Sequence, residues 1–184
     1  MRIRKAEARD IPGVSAVYEE IHTEEEAGRV TIGWARGVYP TADTAKAALA
    51  RGDLFIAEEE GRVLGAAIIN QIQVDAYAGA PWKHSAADDD VMVLHTLVIS
   101  PKESGKRYGR AFVAFYEQYA RENGCPYLRM DTNVKNARAR AMYHKLGYDE
   151  ISVVPCVFNG IEGVQLVLLE KRLDAAHMSD APHA

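Results

Sequence analysis

Apolar positions recur along this chain at two spacings, the two-residue period of a strand and the three-to-four-residue period of a helix. After Asp10, a residue suited to an N-cap, Ile11, Val14 and Ile21 follow the helical spacing. The run Val91–Ile99 is almost continuously apolar, which is typical of a strand covered on both faces. The patterns predict strands over 1–5, 54–57, 63–70, 91–99, 127–132, 148–158 and 161–171, and helices after residue 10, over 41–50, from 108 to the turn at 123–124, and over 136–146.

Turn signals separate these elements. Glu60-Gly61 joins two predicted strands, and Asn159-Gly160 joins the last two with the residues of a type I′ hairpin turn. In two segments the apolar positions follow neither the strand nor the helix spacing. Residues 23–40 are predicted to be loop and short helix, and residues 75–90 form a connection long enough to be either functional or mobile.

The order of elements predicts an α/β fold. Hairpins alternate with β-α-β units, so we expect a mixed sheet of about seven strands, with about four helices covering its two faces. Parallel pairing is expected between strands 91–99 and 127–132, because a helix lies between them in sequence. Ligands bind such sheets at the carboxyl ends of the strands, here just after Ile99 and Asp131.

Length and composition narrow the class of protein. The 184 residues fit one domain, expected over 1–173, with a disordered tail over 174–184. With 22 basic and 26 acidic residues, the net charge of −4 provides no overall field for nucleic acid or an anionic membrane. No transmembrane run or signal-peptide pattern is present, so a cytoplasmic protein is expected. The spacing of Cys125 and Cys156 suggests neither a disulfide framework nor a zinc site.

The turn after the apolar strand combines glycines with basic side chains, reading SPKESGKRYGR over residues 100–110. A helix N-terminus offers unpaired N–H groups and the positive end of the helix dipole, which together form an anion site. Gly105 and Gly109 would let a ligand approach the backbone, and phosphate is the expected anion. An ordinary helix start with a solvated basic cluster fits the same residues. A P-loop does not fit, because Arg107 stands where Ser or Thr is required.

Two motifs resemble those of the GCN5-related N-acetyltransferase (GNAT) superfamily. The glycine-containing turn is similar to its Arg/Gln-x-x-Gly-x-Gly/Ala loop, although Ser104 stands where Arg or Gln is usual and Arg107 where the first glycine is usual. Residues 136–148, NARARAMYHKLGY, are similar to its late motif N-x-x-A-x-x-L-Y-x-K-L-G-F. In element order the resemblance covers residues 2–172. It implies a GNAT-like fold and acetyl-CoA as acyl donor, with no metal.

The resemblance also implies roles for individual residues. The loop would hold the pyrophosphate, Asn136 would contact the pantetheine arm, and Tyr143 would protonate the departing thiolate; the alternative for Tyr143 is a core tyrosine. Backbone N–H groups around residues 97–99 would hold the oxyanion. The residues assigned to the cofactor are Leu97, Val98, Ile99, Gly105, Lys106, Arg107, Tyr108, Gly109, Arg110 and Asn136.

Two residues are candidates for the general base. His95 lies two positions before Leu97, where some small-amine acetyltransferases of the superfamily carry histidine. The alternative is a core histidine whose ring nitrogens have hydrogen-bond partners within the protein. Asp131 ends the neighbouring strand, where some protein N-terminal acetyltransferases of the superfamily carry a glutamate. Its alternatives are an ion pair with Arg129 or a cap for the following turn.

Aromatic residues are expected to bind the amine acceptor, since aromatic faces and carboxylates attract a cationic amine. The candidates are Trp34, Tyr39, Tyr77 and Trp82, together with the acidic runs 24–26 and 88–90. The alternative interpretation of the acidic runs is solvated surface.

The leading hypothesis is an acetyl-CoA-dependent N-acetyltransferase that transfers the acetyl group directly in a ternary complex. Its acceptor would be a small-molecule or peptide amine, and the protein would be a monomer or homodimer. One alternative, motivated by the altered loop, is a non-catalytic acyl-CoA-binding or interaction domain on the same fold. Another is a nucleotide-binding module, in which the late motif would have no purpose.

Overall fold

A computed structural model describes residues 1–174, which contain one seven-stranded sheet and four α-helices. The elements are β1 (Arg2–Lys5), α1 (Ile11–Glu26), α2 (Ala42–Arg51), β2 (Leu54–Glu59), β3 (Arg62–Asn70), β4 (Val91–Ile99), α3 (Tyr108–Glu122), β5 (Tyr127–Asn133), α4 (Ala137–Lys145), β6 (Asp149–Phe158) and β7 (Ile161–Arg172). The strand order is β1-β2-β3-β4-β5-β7-β6, and only the β4–β5 pair is parallel. The predicted α/β class and the predicted parallel pair are confirmed. Apart from Asp174, the predicted tail lies outside the described residues.

Side chains alternate in direction along each strand, so one strand contributes to the cores on both faces of the sheet. In β2, Phe55 and Ala57 belong to the core that contains α3 and α4, whereas Leu54 and Ile56 belong to the core formed with α1 and α2. Helices therefore cover both faces, as predicted. No helix within residues 1–174 combines the length and the apolar character needed to cross a bilayer.

The first helix differs from the prediction at both ends. Asp10 does not cap α1 with its side chain; its carboxylate accepts a hydrogen bond from the Arg4 guanidinium at 2.7 Å. The helix also continues to Glu26, through the acidic run in the segment that was predicted to be loop and short helix. The Glu25 carboxylate accepts two backbone N–H groups of the following loop, at 2.6 and 3.0 Å, and so ties that loop to the helix end.

β4 carries a β-bulge where it leaves β5. The parallel ladder covers only the first four residues of β4. Beyond it, His95 pairs with Ile68 of β3 and Val98 pairs with Ala66, so two residues of β4 face one residue of β3. Thr96, one of those two, has a φ of 51°. Because a bulge bends its strand, β4 and β5 diverge and a gap opens between them.

The β6–β7 hairpin brings its tip to the loop between α1 and α2. Asn159 and Gly160 have φ angles of 49° and 83°, the positive values that a type I′ turn requires. A Cβ atom at Gly160 would lie 3.4 Å from Val38 of that loop. The loop and the hairpin therefore meet, close to the gap between β4 and β5.

Gly65 provides a test of how closely β3 and β4 approach beside the bulge. A Cβ atom there would lie 2.6 Å from the carbonyl oxygen of Val98 and 2.5 Å from Cδ1 of Ile99. We expect Gly65→Ala to lower the free energy of unfolding by about 1–3 kcal/mol through overpacking, measured by thermal unfolding. The control is Gly109→Ala, whose Cβ would find its nearest neighbour, in Met142, at 3.5 Å. Equal melting temperatures for the two variants would contradict this packing.

Candidate functional site

A cavity of about 90 Å³ lies in the gap between β4 and β5. Its walls come from these two strands, the start of α4, the loop between α1 and α2, and the β6–β7 hairpin. Several polar side chains therefore converge where the two parallel strands separate, at the carboxyl ends of the strands, where the sequence predicted a ligand site. They include Thr96, Asp131, Thr132, Asn133, Asn136 and Tyr143.

The N-terminus of α3, next to α4, presents backbone N–H groups that have no partner within the helix. Arg107 precedes the helix in the left-handed conformation, with a φ of 63°, and Gly105 has a φ of 84°. The first bond of the helix runs from Ala111 N–H to the Arg107 carbonyl at 3.1 Å. The N–H groups of the first three helical residues therefore have no intrahelical acceptor, and they add to the positive end of the helix dipole.

Gly109 keeps the backbone of this helix end accessible. A Cβ atom at this position would make only ordinary contacts, with Sδ of Met142 at 3.5 Å and Cγ1 of Ile99 at 4.0 Å. The protein itself would thus accept a side chain here. The absence of one leaves space for a ligand to approach the N–H groups.

The basic residues of the turn differ in how far they are already paired. Lys106 Nζ lies 2.7 Å from the buried Glu103 carboxylate, which Arg62 also contacts at 2.8 Å. Arg107 and Arg110 are exposed. The charge available to a ligand therefore comes mainly from the two arginines.

A further cation reaches the turn from α4. Arg138 donates a hydrogen bond to Oγ of Ser104 at 3.1 Å. Sequence reasoning missed Arg138, because it concentrated on the charges of the turn itself. Its guanidinium lies beside the position where the turn lacks the Arg or Gln usual in the motif.

Asn136 and Tyr143 line the cavity from α4. Asn136 caps the helix, with Oδ1 accepting Ala139 N–H at 3.2 Å, which leaves Nδ2 as a donor. Tyr143 follows about two helical turns later and packs edge-on against Tyr148, with ring centroids 6.0 Å apart. Burial and then the charge of Asp131 raise the pKa of Tyr143 well above its usual value, so the phenol is protonated at neutral pH.

Asp131 lies two residues before the end of β5 and lines the cavity, where the Tyr77 hydroxyl donates a hydrogen bond to Oδ2 at 2.8 Å. Burial raises the pKa of Asp131 to about 6, and the hydrogen bond from Tyr77 limits that rise. The alternative ion pair with Arg129 does not form. Arg129 instead bonds Glu170 at 3.2 Å and stacks 4.1 Å above the ring of Trp82.

His95 immediately precedes the bulge and is not among the residues that line the cavity. Its Nε2 lies 2.9 Å from Oδ1 of Asn70, and Asn70 in turn donates to Asp53 at 2.7 Å. Burial lowers the pKa of His95 to about 4, so the imidazole is neutral. His95 is thus a half-buried, hydrogen-bonded residue outside the cavity lining, and the role of base stays a prediction from the sequence.

The four aromatic residues assigned to the acceptor occupy different places. Trp34 and Tyr39 line the cavity. Tyr77 is buried behind Asp131, and Trp82 covers Arg129. Among residues 1–174, neither acidic run lines the cavity, and no group of three His, Cys, Asp or Glu side chains is arranged to hold a metal ion.

The aromatic wall includes one residue that sequence reasoning missed. The Tyr39 ring meets Trp34 edge-on at 6.1 Å and Phe158 at 5.8 Å, and its hydroxyl hydrogen-bonds Thr96 in the bulge. Phe158 reaches the cavity from the end of β6. Strand alternation could mark it as an interior residue but could not show which strand end it would face.

The backbone of β4 also points donors into the gap. Ser100 N–H donates to the Leu64 carbonyl of β3 at 2.8 Å. Because N–H directions alternate along a strand, Val98 N–H points the same way, whereas the N–H groups of Leu97 and Ile99 point toward the side that β5 has left. Two of the three backbone positions predicted to hold an oxyanion therefore face the gap.

Comparison with known sequences identifies a family. The model of the acetyltransferase (GNAT) family matches residues 15–148. A curated relative, the uncharacterized N-acetyltransferase YhfO of Bacillus subtilis strain 168, is 28% identical over 97 residues, which are 53% of this chain and 58% of the relative. The match thus spans less than two thirds of that relative.

Comparison with solved structures shows the same fold. An acetyltransferase of the GNAT family from Streptococcus agalactiae 2603 has a TM-score of 0.73 at 23% identity, covering 94% of this chain and 95% of its own. YncA of Salmonella typhimurium, solved with its cofactor acetyl-CoA, has a TM-score of 0.69 at 20% identity, covering 100% of this chain and 98% of its own.

The contact between Tyr77 and Asp131 predicts how the carboxyl titrates. Tyr77→Phe removes the hydrogen bond that stabilises the ionised form, so the pKa of Asp131 should rise above about 6. An NMR titration of the Asp131 carboxyl carbon measures the change. Tyr119→Phe, which packs against the core that contains α3 and α4, serves as the control. An unchanged pKa in Tyr77→Phe would show that the hydrogen bond does not act on the carboxyl.

Proposed function

The chain belongs to the acetyltransferase (GNAT) family, and on that basis we propose that it transfers an acetyl group from acetyl-CoA to a primary amine by direct attack in a ternary complex. The observation that carries this proposal is the cavity in the β4–β5 gap. It brings a carboxylate, a protonated phenol and backbone N–H donors together, and the anion site of α3 lies nearby.

The anion site would hold the diphosphate of acetyl-CoA through the first N–H groups of α3. Gly109 would let the phosphates approach the backbone. Arg107, Arg110 and Arg138 would supply positive charge, with Arg138 beside the position where Ser104 replaces the usual Arg or Gln. These contacts support CoA binding despite the altered loop.

Asp131 is proposed as the base. An acceptor that arrives as an ammonium ion first loses one proton to solvent. The neutral amine then attacks the thioester carbonyl carbon: a C–N bond forms, the nitrogen passes its second proton to Asp131, the C–S bond breaks, and the released thiolate takes up a proton as Asp131 returns its own to solvent. With a pKa of about 6, Asp131 is mostly ionised at neutral pH and is a stronger base than an ordinary aspartate. Its place in the cavity lining supports this role over that of His95.

Tyr143 is proposed to donate a hydrogen bond to the departing sulfur. A thiol has a pKa of about 8.5, and the pKa of Tyr143 is raised well above its usual value. Full transfer of the phenolic proton to a thiolate is therefore unfavourable. This assignment differs from the sequence-based expectation, which made Tyr143 the net source of the proton.

The N–H groups of Leu97 and Ile99 are proposed to hold the developing oxyanion. They belong to a buried sheet, so they need little reorganisation as the negative charge forms. A fixed donor of this kind is worth about 3 kcal/mol of barrier.

The acceptor would place only its reacting end in the cavity. The volume of about 90 Å³ is well below the roughly 300–1,000 Å³ of sites that enclose a drug-sized molecule. The choice between a small-molecule and a peptide amine therefore depends on residues around the cavity mouth. A cytoplasmic location and a monomeric or homodimeric state stay predictions from the sequence.

Gly109→Ala tests the phosphate contact. The added methyl group fits the ligand-free protein but would occupy space next to the helix N–H groups. We expect the affinity for acetyl-CoA, measured by calorimetry, to fall at least about tenfold, or 1.4 kcal/mol, with no loss of thermal stability without ligand. Unchanged affinity would mean that the phosphates bind elsewhere.

Asp131→Asn and Tyr143→Phe test the chemistry through pH profiles. In the wild type, kcat/KM should be lost as the pH falls through about 6, because a protonated Asp131 cannot accept the proton. Asp131→Asn should remove this acid limb and lower kcat/KM by about 10²–10⁴. Tyr143→Phe should lower kcat more than it changes KM for acetyl-CoA. A wild-type rate and profile for Asp131→Asn would exclude it as the base, and acetyl-CoA binding without turnover of any amine would favour the non-catalytic alternative.

A further inference from the structure

The cavity wall opposite α4 is aromatic. Trp34 and Tyr39 reach it from the loop between α1 and α2, and Phe158 reaches it from β6. The three rings meet edge-to-face in a row with Tyr39 at its centre. This wall lies away from the helix residues proposed to hold acetyl-CoA, so it is the surface that an acceptor would contact.

Asp131 is the sole charged side chain on this cavity, and no Lys, Arg or His accompanies it in the lining formed by residues 1–174. The groups nearest to its charge are neutral. The pKa values of Tyr39, Tyr143 and Cys156 are raised first by burial and then by Asp131. The carboxylate therefore has hydroxyl and thiol neighbours but no counter-ion of its own.

We propose that the acceptor is a primary amine carried on an apolar or aromatic scaffold, with no carboxylate on the carbon that bears the amine. This inference rests on the proposed function and narrows its substrate class.

The charge of Asp131 explains both halves of the proposal. An ammonium group would supply the missing counter-ion, and the aromatic rings would contact the part of the scaffold next to the amine through apolar and cation–π interactions. A free α-amino acid would instead bring its carboxylate close to Asp131 without a cation to bind it, and such like-charge contacts are strongly unfavourable.

Three compounds with one side chain test this directly: 2-phenylethylamine, L-phenylalaninamide and L-phenylalanine. They differ only at the amine-bearing carbon, and the amide matches the acid in size without its charge. We expect kcat/KM at the high-pH plateau to be at least about tenfold lower for phenylalanine than for the other two. Equal or better use of phenylalanine would overturn the proposal.

Phe158→Ala tests the aromatic wall. It should raise KM for 2-phenylethylamine several-fold and leave the affinity for acetyl-CoA unchanged. Val157→Ala changes the exposed neighbour in the same strand and should have no effect on either quantity. An unchanged KM in Phe158→Ala would remove the wall from acceptor binding.

Failure of this inference is distinguishable from failure of the proposed function. If the protein binds acetyl-CoA and acetylates other amines but neither phenylethylamine nor phenylalaninamide, the acceptor class is wrong and the proposed function stands. If calorimetry detects no acetyl-CoA binding, both are wrong.

Discussion

The β-bulge at Thr96 is the constraint on which the candidate site depends. An unbroken parallel ladder would hold β4 against β5 along their whole length and leave no gap for a cavity. The extra residue bends β4 away from β5 and frees the backbone N–H groups of Leu97 and Ile99. It also changes the phase of the side chains, so Leu97 faces α3 and α4 while His95 keeps the phase of Val91 and Val93. The left-handed φ of Thr96 is costly for a β-branched residue. The hydrogen bond between Thr96 and Tyr39 helps to hold it there and ties the aromatic wall to the bulge.

The site joins two electrostatic environments. At the start of α3, exposed arginines and helix N–H groups create a positive surface suited to a phosphate. Inside the gap, one carboxylate lies among aromatic rings, and burial raises its pKa to about 6. The two environments suit the two substrates of the proposed acyl transfer, since acetyl-CoA is anionic at its diphosphate and an amine acceptor is cationic before it loses its proton. Arg138 shows that the positive surface depends on α4 as well as on the turn.

Local signals predicted much of the fold. Thr41 caps α2 and Gly52 ends it with a φ of 78°, and Asn159-Gly160 forms the hairpin turn, because each of these residues determines the backbone conformation at its own position. Asn136 and Tyr143 both line the cavity, because a spacing of about two helical turns places the N-cap and the tyrosine on the same side of α4. The bulge was not predicted, since a continuous apolar run has the same appearance with or without an extra residue. Two positions apart, His95 and Leu97 were therefore expected on one face of β4, whereas the bulge puts them on opposite faces. Phe158 and Arg138 were missed because their roles depend on which distant elements meet.

Hydrogen exchange of individual amides, measured by NMR with and without acetyl-CoA, tests the central claim most directly. If the thioester binds in the gap that the bulge creates, the amide protons of Leu97 and Ile99 should become protected when acetyl-CoA is added. Those of Val98 and Ser100, which point toward β3, should change little. Tight binding of acetyl-CoA with no change at Leu97 and Ile99 would show that the gap between β4 and β5 is not where the acetyl group lies.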